Sequence, residues 1–552
     1  MRIRKAAVPG ALLIVVLFWL IAYPLLLVAV ESVRTPDGWT LAFYEELVTH
    51  RSEWSALWAS IWISIVTVLV AAIVGIPLAF LFSRFEFPGR RVLGALIALP
   101  AVLPPLVGVI AFLFLYGESG FVSKLIQATL RLEQAPWRLQ GPLAILLVHA
   151  YSMYVYFYLL TRVGLSTIDP SLREAAASLG AGRWRTLHSV VIPLLRPSLA
   201  GAALLTFMAS LASFSAPYLF GGGFRVMTTQ IVSTRLNGNY TMAMVQTVAL
   251  TTVSLIGLWL ISRTERRERL GGGSKGTAPA PVRIESGTVR SAVVLASWSL
   301  ALLLLLPHVT LLLLSFVPAG TWTTEAFPPD YSLRNYVSLV TQPERLRPLL
   351  NSLWMAGGAM IAAVAISLAA CHLSIRAIAP GRRVIDLLLA VPWAVPGTVF
   401  AIALATLFSV EAPLMGRTIL IGTIWILPLA YLVRNLPLTS RAIASGFLAL
   451  DPSLEEAAAS LGAGRLRTLL RVTLPLLRPA LAAAATLAFV TGLGDFVTSV
   501  VLYTYDTRPL SLEILSELRQ GDVGAAAAYG VLLMIISALV FVAGSERKRV
   551  TR

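Results

Sequence analysis

The chain has 552 residues, 57% of them apolar and only 13% charged, with a mean hydropathy of +0.80. A soluble chain carries roughly 25% Asp, Glu, Lys and Arg, so this composition excludes a string of water-soluble domains and implies a polytopic membrane protein. The 44 basic and 27 acidic residues leave +17. On a soluble chain that excess would point to nucleic acid, whereas on a membrane chain it orients loops toward the cytoplasm.

Cys371, the single cysteine, lies in an apolar run. No intrachain disulfide can form, and no thiol-based metal site or other metal-ligand cluster is written in the sequence. A bilayer core of roughly 30 Å needs about 20 helical residues, and twelve apolar stretches approach that length. The first half places them at 11–30, 59–82, 93–115, 143–161, 199–219 and 244–262. The second half places them at 291–315, 352–371, 384–408, 418–433, 480–502 and 525–543. The tenth is the weakest, being short and containing Pro428. The opening MRIRKAAVPG could begin a signal peptide, but the apolar run after it is longer than the usual core and no small-x-small cleavage site follows.

With the N-terminus inside, the inside segments hold 31 of the 44 basic residues and about 11 acidic ones, so the inner face is near +20 and the outer near −3. This asymmetry accounts for the +17 without nucleic acid and predicts that both termini are cytoplasmic.

The chain repeats itself. Residues 169–199, DPSLREAAASLGAGRWRTLHSVVIPLLRPSL, return at 451–481 as DPSLEEAAASLGAGRLRTLLRVTLPLLRPAL, without a gap at an offset of 282. Phe214 and Phe496 keep that offset. Upstream, PGRR at 88–91 and at 380–383, and Pro100 and Pro104 with Pro392 and Pro396, stand 292 apart. The first copy therefore carries about ten extra residues, which the sequence places in the outside loop near 117–141. Six spans is an even number, so the two copies run parallel, related by a two-fold axis along the membrane normal. The division is 1–269 and 284–552 as two permease-sized units, joined by LGGGSKGTAPAPVR at 270–283, a flexible tether.

The repeated segment between the fourth and fifth spans of each half predicts a short stiff helix. Asp169-Pro170 and Asp451-Pro452 supply an N-cap acceptor and a proline for the first turn. The alanines favour helix, Gly180 and Gly462 end it in the left-handed region, and Pro193 and Pro197 are expected to break the chain before span five. An interfacial helix anchored on headgroups through its arginines is the plainer reading, but anchoring asks only for amphipathic composition, and here the order of residues recurs.

Glu174-Ala175-Ala176 with Gly180 and Ile192-Pro193, and Glu456-Ala457-Ala458 with Gly462 and Leu474-Pro475, closely resemble the EAA coupling loop of the permease subunits of binding-protein-dependent ABC importers. Ala-Gly at 181–182 and at 463–464 agrees with that pattern. The resemblance covers the six-span core of both halves. It implies an all-α, MetI-like type I importer fold in a prokaryotic inner membrane. It also implies that each loop helix docks in a groove of a separate ATP-hydrolysing subunit, with Glu174 and Glu456 facing basic groups there. Two such ATPase subunits, an extracytoplasmic substrate-binding protein and the lipid bilayer are the implied partners. The chain has no G-x-x-x-x-G-K-[ST] loop; GGGSKG has the wrong spacing. It is therefore expected to be no enzyme and to bind no cofactor, with ATP on the partner subunits. Two fused halves resemble most the ferric-iron importers, with thiamine and aminoethylphosphonate importers next. LASFSAPYLFGGGFRVMTTQI (211–231) and GLGDFVTSVVLY (492–503) favour the iron group.

Polar groups at membrane depth mark the candidate pathway. Asp495 lies in the eleventh span, where a charge costs roughly 2.5–3.5 kcal/mol unless it faces a cavity or partner. It could serve a cationic substrate or sit hydrogen-bonded near the outer interface, and its counterpart at the 282 offset is Ser213. His149, beside Tyr151, Tyr154, Tyr156 and Tyr158, reads as a packed core histidine or a substrate contact. Pro100, Pro104, Pro105, Pro392 and Pro396 predict kinks in spans three and nine, which either free carbonyls to line a path or serve packing alone. An ion-driven secondary transporter also has twelve spans in two halves, and a non-transporting scaffold fits the doubled loop least.

Overall fold

The computed structural model describes residues 2–35, 38–98, 100, 104–268, 282–322, 327–409 and 419–546. Among these, ten helices are long and apolar enough to cross a membrane, and an eleventh crossing is a bent pair. In the first half the spans are Ala7–Glu31, Arg51–Arg84, Pro105–Leu130, Gly141–Thr167, Arg183–Leu211 and Tyr240–Leu260, the third made of the helix Pro105–Tyr116 and a second helix after it. In the second half they begin with Gly287–Leu314 and Pro343–Arg376 and end with Leu466–Leu493 and Val523–Gly544. Span nine is Arg382–Ala394 followed by Gly397–Leu407, bent by 108° at Val395-Pro396. Proline at 396 offers no N–H to continue the helix, so the break falls there, while Pro392 stays within a helix. The matching break in span three precedes Pro105, the first residue of its outer helix.

Span ten departs from the sequence reading. It is the 24-residue helix Ile426–Ala449, shifted from the expected 418–433 and too polar to count as a span by composition. Its polar residues are tolerated because it packs between spans eight and eleven instead of facing lipid. Asn435 Nδ2 donates to Ala488 O at 3.1 Å, and the Ser367 and Thr439 hydroxyls lie 2.6 Å apart. Arg434 and Arg441 belong to this helix and not to the loop that the expected end at 433 implies.

Span five begins at 183 and ends at 211, and span eleven ends at 493, against the expected 199–219 and 480–502. Pro193 and Pro197 do not break the chain. A wider π-helical turn, Leu187–Val191, joins Arg183–Thr186 to Ile192–Leu211 and absorbs the missing proline donor, and Leu469–Thr473 does the same before Leu474–Leu493.

Spans two, four and five form the core of the first half, and spans eight, ten and eleven that of the second. Small residues allow close crossings. A Cβ on Gly164 would lie 2.5 Å from Ser198 Oγ, and one on its repeat equivalent Gly446 would lie 2.5 Å from the Ala480 Cβ.

The remaining spans are exchanged across the seam. Span three packs on spans seven and twelve of the other half, and span nine packs on spans one and six. Leu106, Ile110 and Phe114 thus share one buried cluster with Leu311, Leu314 and Tyr529. Phe400, Leu404 and Leu407 share another with Leu17, Met227 and Val245.

The extra residues of the first copy form the helix Phe121–Leu130 and a return strand of chain pinned by Trp137 Nε1, which donates to Tyr116 O at 2.8 Å. Phe121 stacks on Trp322 with ring centroids 4.7 Å apart, tying the insertion to the second half. Residues 270–281 of the tether lie outside the described residues. Val282–Arg283 adds a short parallel pair to Phe85–Glu86.

Candidate functional site

The two repeated loops fold alike. In the first, Asp169 Oδ1 accepts from Ser171 N at 2.9 Å and starts the helix Pro170–Ser178. In the second, Asp451 Oδ1 accepts from Ser453 N at 2.9 Å before Ser453–Ser460. These hydrogen bonds to backbone N–H hold both carboxyls below the usual carboxylate range. Gly180 and Gly462 close the helices at φ +78° and +81°, where a Cβ would be strained. Ala181 N donates to Ala176 O and Ala463 N to Ala458 O, the i→i−5 bond of a Schellman ending.

Glu174 and Glu456 are exposed, as are Ala175 and Ala457. Leu179 and Leu461, one residue before the glycines, are 88% and 89% exposed. Trp184 and Leu466 extend each apolar patch. Each loop therefore presents a carboxylate and a bare leucine on a rigid, capped helix, the makeup of a docking element for another protein surface.

The loops differ in how they are held. Glu455 accepts from Thr473 Oγ1 at 2.9 Å and lies 3.6 Å from Arg376 Nε, while Arg376 Nη2 donates to Leu450 O at 2.9 Å and to Phe447 O at 3.2 Å. Span eight is thereby tied to the second loop helix. At the matching positions the first half has Arg173 and Arg84, two cations.

The pathway candidates lie where spans five and eleven end. Ser213 follows span five, and Asp495 follows span eleven in a short non-helical stretch, not within the helix. At this end span eleven meets the first half closely: a Cβ on Gly494 would lie 2.6 Å from the Pro104 Cβ. Asp495 is buried and paired with Arg434 Nη1, and its Oδ1 accepts from Thr498 N at 2.9 Å and from the Thr498 hydroxyl. Of the readings left open for Asp495, the geometry gives a carboxylate neutralised inside the protein.

In the first half the corresponding network is uncharged. His149 Nε2 and Ser213 Oγ lie 2.9 Å apart, and His149 Nδ1 lies 3.0 Å from Thr67 Oγ1 and 3.3 Å from Ser210 Oγ. His149 is thus a satisfied core histidine joined to Ser213. Its equivalent at the 282 offset is Tyr431, whose hydroxyl lies 2.7 Å from Ser499 Oγ.

The neighbouring equivalents Phe214 and Phe496 meet each other, ring centroids 5.8 Å apart. Residues related by the repeat touch in this way only beside the axis that relates them, so Ser213 and Asp495 flank it from opposite halves. Tyr218 covers Phe496 at 6.1 Å and accepts a hydrogen bond from Arg519. Hydropathy alone does not point to Arg434, which lies one residue beyond the apolar stretch 418–433. The signal was the 282 offset itself, which places Arg434 in register with Ser152, inside span four. Among the described residues no group of three or more His, Cys, Asp or Glu is placed to hold a metal ion.

Comparison with known proteins supplies the remaining observations. Residues 71–270 and 361–545 each match the family described as binding-protein-dependent transport system inner membrane component. The chain is 30% identical to the ABC transporter permease protein y4fN of Sinorhizobium fredii, over 89% of this chain and 87% of that one. It is 28% identical to the ferric transport system permease protein FbpB of Actinobacillus pleuropneumoniae, over 85% of this chain and 67% of that one. With the thiamine transport system permease protein ThiP of Escherichia coli K12 it shares 26% identity over 92% and 90% of the two chains. Among solved structures, one chain of a bacterial ABC transporter that imports alginate aligns with 48% of this chain and 96% of its own at 17% identity and a TM-score of 0.39.

Proposed function

This chain belongs to the binding-protein-dependent transport system inner membrane component family and carries its domain twice, and from that premise we propose that it is the whole membrane pathway of a ferric-iron importer. It is a fused permease of an ABC importer, a multi-pass membrane subunit of the transport kind and not an enzymatic one. The observation that carries the reading is the pair of exposed, capped EAA helices, which recur at an offset of 282. Two helices call for two ATPase subunits, one on each, with Glu174 and Glu456 as the charged contacts and Gly180 and Gly462 as the fixed ends. The arginine-rich loops support a cytoplasmic position for the face that bears these helices, with both termini on the same side. The opposite face receives a substrate-binding protein.

Transport follows from rocking of one half on the other about the axis beside Phe214 and Phe496. Because spans three and nine are exchanged between halves, a push on either loop moves both walls of the path. Ser213 and the Arg434–Asp495 pair flank its narrow part, with His149 packed behind Ser213, and ferric relatives that cover both halves support iron as the cargo. Thiamine is the second reading, supported by a relative of nearly equal length.

The test is a complex of this chain with its ATPase and binding protein in proteoliposomes. Ferric-loaded binding protein should stimulate ATP hydrolysis severalfold while thiamine-loaded protein does not, and the reverse result would overturn iron. In the same preparation Glu174→Ala with Glu456→Ala should abolish co-purification of the ATPase. An intact, transporting complex after that change would sink the coupling assignment.

A further inference from the structure

The two loops are held differently, and a cavity lies beside the first of them. In the first half a cleft of about 810 Å³ opens between the loop-side ends of spans two and four, the loop helix and the start of span five. Five arginines line it: Arg84, Arg90, Arg162, Arg173 and Arg183. No acidic side chain lines it, and among the described residues none of the five forms an ion pair. Arg90 Nε donates to Phe82 O at 2.8 Å and Arg162 Nη1 to the Tyr158 hydroxyl at 2.9 Å, so these two are aimed by neutral partners.

Apart from Ser83, Ser166 and Thr186, the rest of the wall is apolar. Phe80, Leu159, Val163, Leu187 and Val191 form it, and Leu159 and Val163 stay exposed on span four. A cleft of this size is ordinary for a small-molecule ligand. Uncompensated guanidinium groups above exposed aliphatic residues, at the end of membrane spans, suit a phosphate carried on an acyl chain.

The second half shows what the cleft lacks. There Arg376 and Glu455 occupy the positions of Arg84 and Arg173, and Ala444 stands where Arg162 stands. The Glu455 carboxylate bridges Thr473 and Arg376 and closes the gap between span eight and the loop helix. In the first half that carboxylate is replaced by a fifth cation.

We propose that the cleft binds the headgroup phosphate of an anionic phospholipid, which takes the place in the first half that the Glu455 carboxylate holds in the second. The lipid then ties span two to the first loop helix as Glu455 ties span eight to the second. This proposal concerns binding by the chain itself and does not depend on which cargo is carried.

The experiment uses the full chain in detergent, with binding followed by native mass spectrometry and by melting temperature. It is titrated with short-chain phosphatidylglycerol, with phosphatidylcholine of the same chain length, and with inorganic phosphate. Phosphatidylglycerol should bind and raise the melting temperature, phosphatidylcholine should not, and inorganic phosphate should bind far more weakly for want of the apolar wall. Arg84→Ala with Arg173→Ala should weaken phosphatidylglycerol binding about thirtyfold, since each arginine near such a headgroup is worth about 1 kcal/mol. Arg185→Ala, on an exposed arginine outside the cleft, is the control and should change nothing.

Arg173→Glu supplies the missing carboxylate and should raise the lipid-free melting temperature while abolishing the response to phosphatidylglycerol. Equal binding of the two lipids, or unchanged binding in the double variant, overturns the proposal. Inorganic phosphate binding as tightly as the lipid overturns the lipid assignment.

Discussion

The two halves carry nearly the same loop sequence and nearly the same loop geometry, yet they part company in what supports it. On the second half, Glu455, Arg376 and Thr473 form a closed contact. On the first half, the places of Glu455 and Arg376 hold Arg173 and Arg84, and that of Thr473 holds Val191, around an open cleft. The same split recurs beside the axis, where the second half has a buried ion pair, Arg434 with Asp495, and the first half a neutral network around His149 and Ser213. The lesson is that the exposed surface of the loop helix recurs in both halves, while the layer beneath it differs between them.

Three substitutions bear on this difference. Arg434→Ala leaves Asp495 with the Thr498 contacts alone. A buried pair that loses one member costs about 3–5 kcal/mol, and partial exposure of Arg434 should reduce that to about 2 kcal/mol. Ser152→Ala at the matching position should shift thermal unfolding in detergent hardly at all, and equal shifts would erase the proposed asymmetry at the axis.

Gly494→Ala comes next. The first half already carries Ala212 at the equivalent position, but at 494 the new methyl meets Pro104. Overpacking of that kind costs roughly 1–3 kcal/mol. A lowered melting temperature for Gly494→Ala, set against a neutral Ala212→Gly, would sharpen the comparison. A neutral Gly494→Ala would show that the seam gives way there.

Glu455→Ala has the smallest expected effect, about 0.5–1 kcal/mol for a half-exposed contact. Its readout is local: amide exchange in 453–460 should quicken while exchange in 170–178 stays unchanged. Exchange that rises equally in both loops would mean that Glu455 does not act on its own helix.

Much of this was legible in the sequence because it is written in order and spacing. The loop helices followed from Asp-Pro, three alanines and glycine, and the glycines do take the left-handed conformation that ends them. The parallel repeat followed from the 282 offset, and Phe214 against Phe496 is its three-dimensional expression. Span ten was misplaced because hydropathy registers contact with lipid, and Ile426–Ala449 is shielded from lipid by spans eight and eleven. The prolines at 193 and 197 misled because a π-helical turn can accept a missing donor without breaking the chain. Asp495 was recognised as costly, but the partner that relieves it lies 61 residues upstream. Proximity between two spans is not written in either one.

The contact of Phe214 with Phe496 has one more consequence. In a permease built from two identical subunits, every side chain beside the axis arrives in duplicate, and a carboxylate at the place of Asp495 would confront its own copy. Joining the halves in one polypeptide lifts that restriction: serine can stand opposite aspartate, and histidine opposite tyrosine. The surroundings of the axis are handed in this way, with a charged pair on one side and a neutral network on the other.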